Sequence, residues 1–151
     1  MEEDKFIITE EQNPLTSFFL RVDDKLTPNS IIPLFIFAPK QDKIDKIIVL
    51  WKWSLLPEYR ESFLAINDSV KKEVGMDIEE GCMLMHLLLK FTPNITDLKY
   101  IEVQKVIRID GLTKDRLFDT MVQVHHGFAF VMRQFEKHNL SRPAFDPSRL
   151  V

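Results

Sequence analysis

The chain has 151 residues, 45% of them hydrophobic and 28% charged, with a formal net charge of −3. That length supports one domain with a real core, and the composition excludes a disordered chain. The mixed charge argues against nucleic-acid or anionic-membrane binding, and no apolar run reaches the ~18 residues of a membrane span.

Residues 1–14 are polar apart from Phe6-Ile7-Ile8, a triplet that either pairs at a sheet edge or stays frayed. Leu15 to Val22 is rich in β-branched and aromatic residues and reads as a strand, broken by Asp23-Asp24-Lys25. Ile31 to Phe37 is a second strand, with Pro33 near its start or on an edge because proline gives no ladder donor. Lys43 to Trp53 is a third. Its Ile47, Val49, Trp51 and Trp53 alternate with Ile48, Leu50 and Lys52, so both faces are apolar near the middle. Such a strand is covered on both faces, or covered on one and part of an interface on the other.

A helix is expected from about Pro57 to Val74, with Tyr59, Phe63, Ile66 and Val70 on one stripe and Gly75 as its C-terminal cap. Glu79-Glu80-Gly81 then reads as a turn. Residues 82–91 read as a strand, with helix as the competing assignment because Met and Leu favour it. Asp97 to Ile109 is a further strand, where a slip in alternation between Val103 and Val106 suggests a bulge. Asp110-Gly111 is a turn, and Thr113 caps a long final helix with Asp115 in its first turn. Leu112 and Leu117 suit a hydrophobic staple. Leu117, Met121, Val124, Phe128, Val131 and Phe135 repeat at helical spacing, and Phe118, Val122, Ala129 and Met132 widen the face. So wide a face implies a second layer or a partner. Residues 139–151 hold two prolines and no period, and read as an irregular tail.

These elements define an α+β fold over residues 1–138. An antiparallel sheet of five to six strands packs with two helices in the order β-β-β-α-β-β-α. The acidic Met1-Glu2-Glu3-Asp4 has the wrong sign for a secretory signal, and the single Cys82 excludes an internal disulfide, so a cytoplasmic location is expected. Three Asn-x-Ser/Thr triplets, at Asn67, Asn94 and Asn139, then read as chance matches.

Catalytic signatures are weak. His125 and His126 are adjacent on a helix and point about 100° apart, so they do not easily share an ion; His125 borders the apolar face and suits a packed or capping role. Cys82 and His86 on a strand lie roughly 13 Å apart, too far for proton transfer. Thiol chemistry there requires the helical reading; a buried, inert thiol is the simpler expectation. Asp23-Asp24 and Glu79-Glu80 fall in expected turns, where carboxylates are solvated. The four glycines are isolated, so no phosphate loop is present. No cofactor or metal is expected.

Some local motifs resemble a known family. Leu64-Ala65-Ile66-Asn67-Asp68, then Gly75 through Gly81, then Asp110-Gly111-Leu112-Thr113 leading into Leu117, are similar to features of the YbjN-type proteins, whose fold is that of the type III secretion chaperones. This resemblance implies a non-enzymatic, often dimeric domain that holds a partner segment on apolar surface. Twelve Phe against two Tyr fit that role, since Phe belongs in a core or interface.

The function expected is therefore protein binding, chaperone-like, through apolar contact with a protein partner or a second copy as a homodimer. The candidate contact residues are Trp51, Trp53, Phe128, Met132 and Phe135, with Trp51 and Trp53 read either as core or as an exposed stripe. The alternative is a small-molecule or lipid site between sheet and last helix, lined by Phe and Met. A third reading is an enzyme using scattered residues such as His86, His125 and Asp110.

Overall fold

The computed structural model describes residues 6–24, 34–40, 43–55 and 57–138. Ile31 to Pro33 and the expected tail at 139–151 lie outside them. The order is β1 (Phe6–Glu10), β2 (Thr16–Asp24), β3 (Leu34–Pro39), β4 (Lys46–Ser54), α1 (Pro57–Leu64), α2 (Asp68–Leu84), β5 (Leu88–Pro93), β6 (Leu98–Arg108) and α3 (Lys114–Lys137), with a 3₁₀ turn at Ile109–Gly111 before α3. The strands form one antiparallel sheet in the order β1-β2-β3-β4-β6-β5. The fold is thus α+β, with six strands and three helices among the described residues.

Period-two alternation sets the layers. On β4, Ile47, Val49, Trp51 and Trp53 are all buried. Val49 sits beside Ile36 of β3 and Lys105 of β6, and Trp51 beside Leu34 and Val103. This face lies under α3, which packs on β4, β6 and α2. Trp51 meets Phe128 at 4.2 Å between ring centroids, and Trp53 meets Phe135 at 5.6 Å. Each such ring pair adds about 1 kcal/mol to the stabilisation from burial itself. Phe63 of α1 stacks on Phe135 at 6.4 Å, which brings α1 to the same side.

Cap chemistry fixes α3 where the sequence places it. Thr113 Oγ1 accepts the Arg116 N–H at 3.0 Å, and Asp115 lies in the first turn. Leu112 and Leu117 both pack against the core. The wide apolar face of α3 is used twice, against the sheet and against α2.

Residues 65–87 depart from expectation. The helix from Pro57 breaks after Leu64, and a second begins at Asp68, where Asn67 Oδ1 accepts the Ser69 N–H at 2.8 Å. Gly75 is inside α2, not at a cap, and Glu79-Glu80-Gly81 is helical, not a turn. The reason is tertiary. Lys71, Val74, Gly75, Ile78 and Cys82 form the buried stripe of α2, and the glycines sit where neighbours come close. A Cβ at Gly81 would lie 2.2 Å from Phe130 Cζ, and one at Gly75 would lie 3.0 Å from Ile95 Cγ1. Residues 82–84 belong to this helix, and the strand expected over 82–91 starts only at Leu88. The bulge expected between Val103 and Val106 is absent, because β6 pairs with β4 in unbroken register. Val106 is simply on the opposite face from Val103.

Candidate functional site

The face of the sheet away from the helices is built by the same alternation. Phe19 of β2 lies beside Phe37 of β3, and Phe37 beside Ile48 of β4, which lies beside Val106 of β6. The next row holds Arg21, Phe35, Leu50, Gln104 and Leu88. These two rows make a largely apolar band across five strands, interrupted by Arg21 on β2 and the Gln104 amide on β6. The Phe19 ring lies 5.1 Å from Phe35 and 5.6 Å from Phe37. Phe19, Phe35, Phe37, Ile48 and Leu50 are half-buried, while Leu88 and Val106 are exposed.

Charge borders the band along both sides. Lys46 and Arg108 pair in the row beyond Ile48, and Lys52, Glu102 and Lys90 form the row beyond Leu50. Lys52 Nζ stands 4.0 Å from the Tyr100 ring centroid. An apolar centre inside a polar rim is the anatomy of a protein interface. Among the described residues all three helices lie on the other face.

The contact residues expected from sequence sit elsewhere. Trp51, Trp53, Met132 and Phe135 are 7% exposed or less, and Phe128 is half-buried against Trp51. They are the core joining sheet to α3, so the core reading of Trp51 and Trp53 holds and the exposed-stripe reading does not. The physical cause is parity. These tryptophans share the face of Val49, which α3 covers, while Ile48 and Leu50 take the open one. The signal for the open face was present in the alternation of β4, but only the pairing of β2, β3 and β4 brings the phenylalanines to it.

The other candidates are dispersed. Cys82 is buried, and burial pushes its thiol up to about 11, the wrong direction for a nucleophile. His86 is exposed beyond the C-terminal cap of α2, with φ of 56°. His125 is exposed, its ring 5.9 Å from Phe128, so it borders the packing as expected without being buried. Asp110 precedes α3 beside Arg108, at 4.0 Å, and His125 lies roughly 18 Å further along the helix. Among the described residues no group of three His, Cys, Asp or Glu side chains is arranged to hold a metal. No described helix is long and apolar enough to cross a membrane. At Gly127, α3 comes into close contact with its neighbours: a Cβ there would lie 2.4 Å from Leu87 Cδ1 and 3.1 Å from Val103 Cγ1. A surface cleft of about 560 Å³ near the start of α3 is lined by Lys105, Arg116, Asp115 and Asp119, with Lys105 hydrogen-bonded to Gln123.

Fold and face together define, among the described residues, an α+β domain with its helices on one side of the sheet and a largely apolar centre on the other sheet face. The chain belongs to the family described as "Uncharacterized conserved protein (DUF2299)", whose model matches residues 2–135. It is similar to the crystal structure of an uncharacterized protein from Methanothermobacter thermautotrophicus, with 20% sequence identity and a TM-score of 0.74 over 90% of this chain and 91% of that one. At that identity the likeness shows the fold alone. No curated protein matches the sequence.

Proposed function

We propose that the chain is a protein-binding domain acting by apolar contact, and that its open sheet face is the interface of a homodimer. The observation that carries this reading is the band of Phe19, Phe35, Phe37, Ile48 and Leu50 on a face that no described helix covers. Five strands at ~4.8 Å spacing and the nine residues of β4 give a face of roughly 24 by 30 Å. That is about 700 Å², near the ~800 Å² that each partner contributes to a stable interface. Two sheets facing across such a band pack as a sandwich ~10 Å thick.

The chaperone-like part of the proposal, and kinship with YbjN-type and type III secretion chaperones, takes its support from the Asp110–Thr113 entry into α3. The motif at residues 75–81 lends none, because it is helical. Light scattering across a concentration series tests the dimer, with Leu50→Lys as the interface variant. A wild-type dimer that Leu50→Lys converts to monomer is the expected result. A wild type that stays monomeric throughout overturns the proposal, and a dimer untouched by Leu50→Lys moves the interface off this face.

A further inference from the structure

The two edges of the sheet are unlike. At one, β5 carries Lys90 and Pro93 and has α2 packed against it, which are ordinary protections against strand addition. At the other, β1 reads Phe6-Ile7-Ile8-Thr9-Glu10 and has neither lysine nor proline. Ile8 is 63% exposed.

Hydrogen-bond parity shows what this edge offers. Glu11 N–H donates to the Phe19 carbonyl at 2.8 Å, so Glu11 and Phe19 are a hydrogen-bonded pair. Antiparallel ladders alternate, and Thr9 opposite Arg21 is the next such pair. Glu11 and Thr9 therefore turn their backbone groups toward β2, while Ile8 and Glu10 turn theirs outward. Beside Glu10, at the β1–β2 turn, lies a hollow of about 340 Å³ lined by Glu10, Glu11, Gln12, Asn13, Thr16 and Ser17, among others. From Phe6 to Leu20 the only charges are Glu10 and Glu11. Among the described residues, Arg21 is one strand inward, opposite Thr9, and Lys40 flanks the turn, its N–H donating to the Leu15 carbonyl at 3.1 Å.

We propose that β1 is a docking edge for an extended peptide that adds antiparallel to it, with a lysine or arginine near the peptide's N-terminus entering the hollow beside Glu10 and Glu11. Backbone pairing with Ile8 and Glu10 supplies the affinity, and the acidic hollow supplies the preference for a basic strand. A second copy suits this edge less well, because residues 1–12 carry five acidic residues against one lysine. The edge is separate from the open face and rests on different observations.

The test is fluorescence anisotropy with the full chain and a labelled six-residue peptide, lysine followed by alternating valine and threonine. A glutamate-led peptide is the comparison. Saturable binding of the lysine-led peptide, weakened about tenfold or more by Ile8→Pro and retained by Ile8→Ala, is expected. Ile8→Pro removes an outward N–H and leaves the bonds to β2 intact, a substitution that edge strands tolerate. If Ile8→Pro does not fold, Glu10→Lys takes its place and is expected to reverse the preference between the two peptides. No saturable binding up to ~1 mM, or equal binding of both peptides, overturns the proposal. Leu50→Lys, which tests the dimer, is expected to leave peptide binding unchanged, so the two proposals fail separately.

Discussion

The ammonium of Lys71, on α2, donates to the carbonyl of Thr96, in the β5–β6 turn, at 3.0 Å. Lys71 is 1% exposed. Its Nζ also donates to the Leu64 carbonyl at 3.3 Å, stands 3.5 Å from the Asp68 carboxylate and lies 4.8 Å from the Phe63 ring centroid. One buried cation thus ties the end of α1, the start of α2 and the turn after β5. The turn is itself held by Asn94 Oδ1, which accepts the N–H groups of Thr96 and Asp97, while Asp97 pairs with Arg60 at 2.9 Å. Lys71→Met keeps the length of the side chain but leaves two carbonyls without a donor. A loss of about 1–3 kcal/mol is expected in denaturant unfolding. An unchanged midpoint would mean that water reaches those carbonyls and the tie is dispensable.

Gly127 sets how closely α3 approaches the sheet. Gly127→Ala puts a methyl group against Leu87 and Val103 and is expected to cost about 1–3 kcal/mol, although alanine is the better helix former. Adding Leu87→Ala makes room for that methyl. The double variant is therefore expected to be more stable than the sum of the two single effects, which a thermal-unfolding cycle measures directly.

His86 occupies the left-handed position that ends α2. Its N–H donates to the Met83 carbonyl at 3.0 Å and the Leu87 N–H to the Cys82 carbonyl at 2.9 Å, the paired bonds of a glycine-type helix stop. A side chain at φ of 56° is strained, so His86→Gly is expected to stabilise by about 1 kcal/mol, and His86→Val to destabilise. A lower melting temperature for His86→Gly would contradict this.

Cys82 makes one contribution to stability pH-dependent in the alkaline range. Its folded thiol is held near 11 by burial, above an ordinary value of 9.0. Below about pH 9 both folded and unfolded states keep the proton, and the group contributes no pH dependence. Between pH 9 and 11 the unfolded thiol ionises and the folded one does not, so stability falls as pH rises. Cys82→Ala removes that component, and its unfolding free energy is expected to fall less steeply over the same window. Native protein at pH 8 is expected to resist alkylation until denaturant is added.

Salt provides a separate check on the open face. Arg21, Lys46, Arg108, Lys52 and Lys90 outnumber Glu11 and Glu102 on this face, so two such faces repel at long range. The dimer is expected to tighten as ionic strength rises and screens that repulsion. Weakening with salt would point to ion pairs, not apolar contact, as the source of affinity.

Local chemistry was legible in the sequence wherever it decides structure within a few residues. The Thr113 cap, the stripe from Leu117 to Phe135, the alternation along β4 and the strand after Asp97 all follow from spacing and propensity. So does the α+β class. The break at Leu64 and the length of α2 did not follow. Gly75 and Gly81 carry the signature of stops, and only Ile95 and Phe130, distant in sequence, reveal them as points of close approach. Asn67 is a cap-forming residue, but the stripe of Tyr59, Phe63, Ile66 and Val70 runs past it at helical spacing and suggests one continuous helix. The same division governs the surface. Residue parity told that Trp51 and Leu50 lie on opposite faces of one strand, and it could not tell which face is covered. That was decided when α3 packed its apolar stripe on the tryptophans. Burying those large rings stabilises the fold, and it left Phe19, Phe35 and Phe37 with Ile48 and Leu50 on the other side.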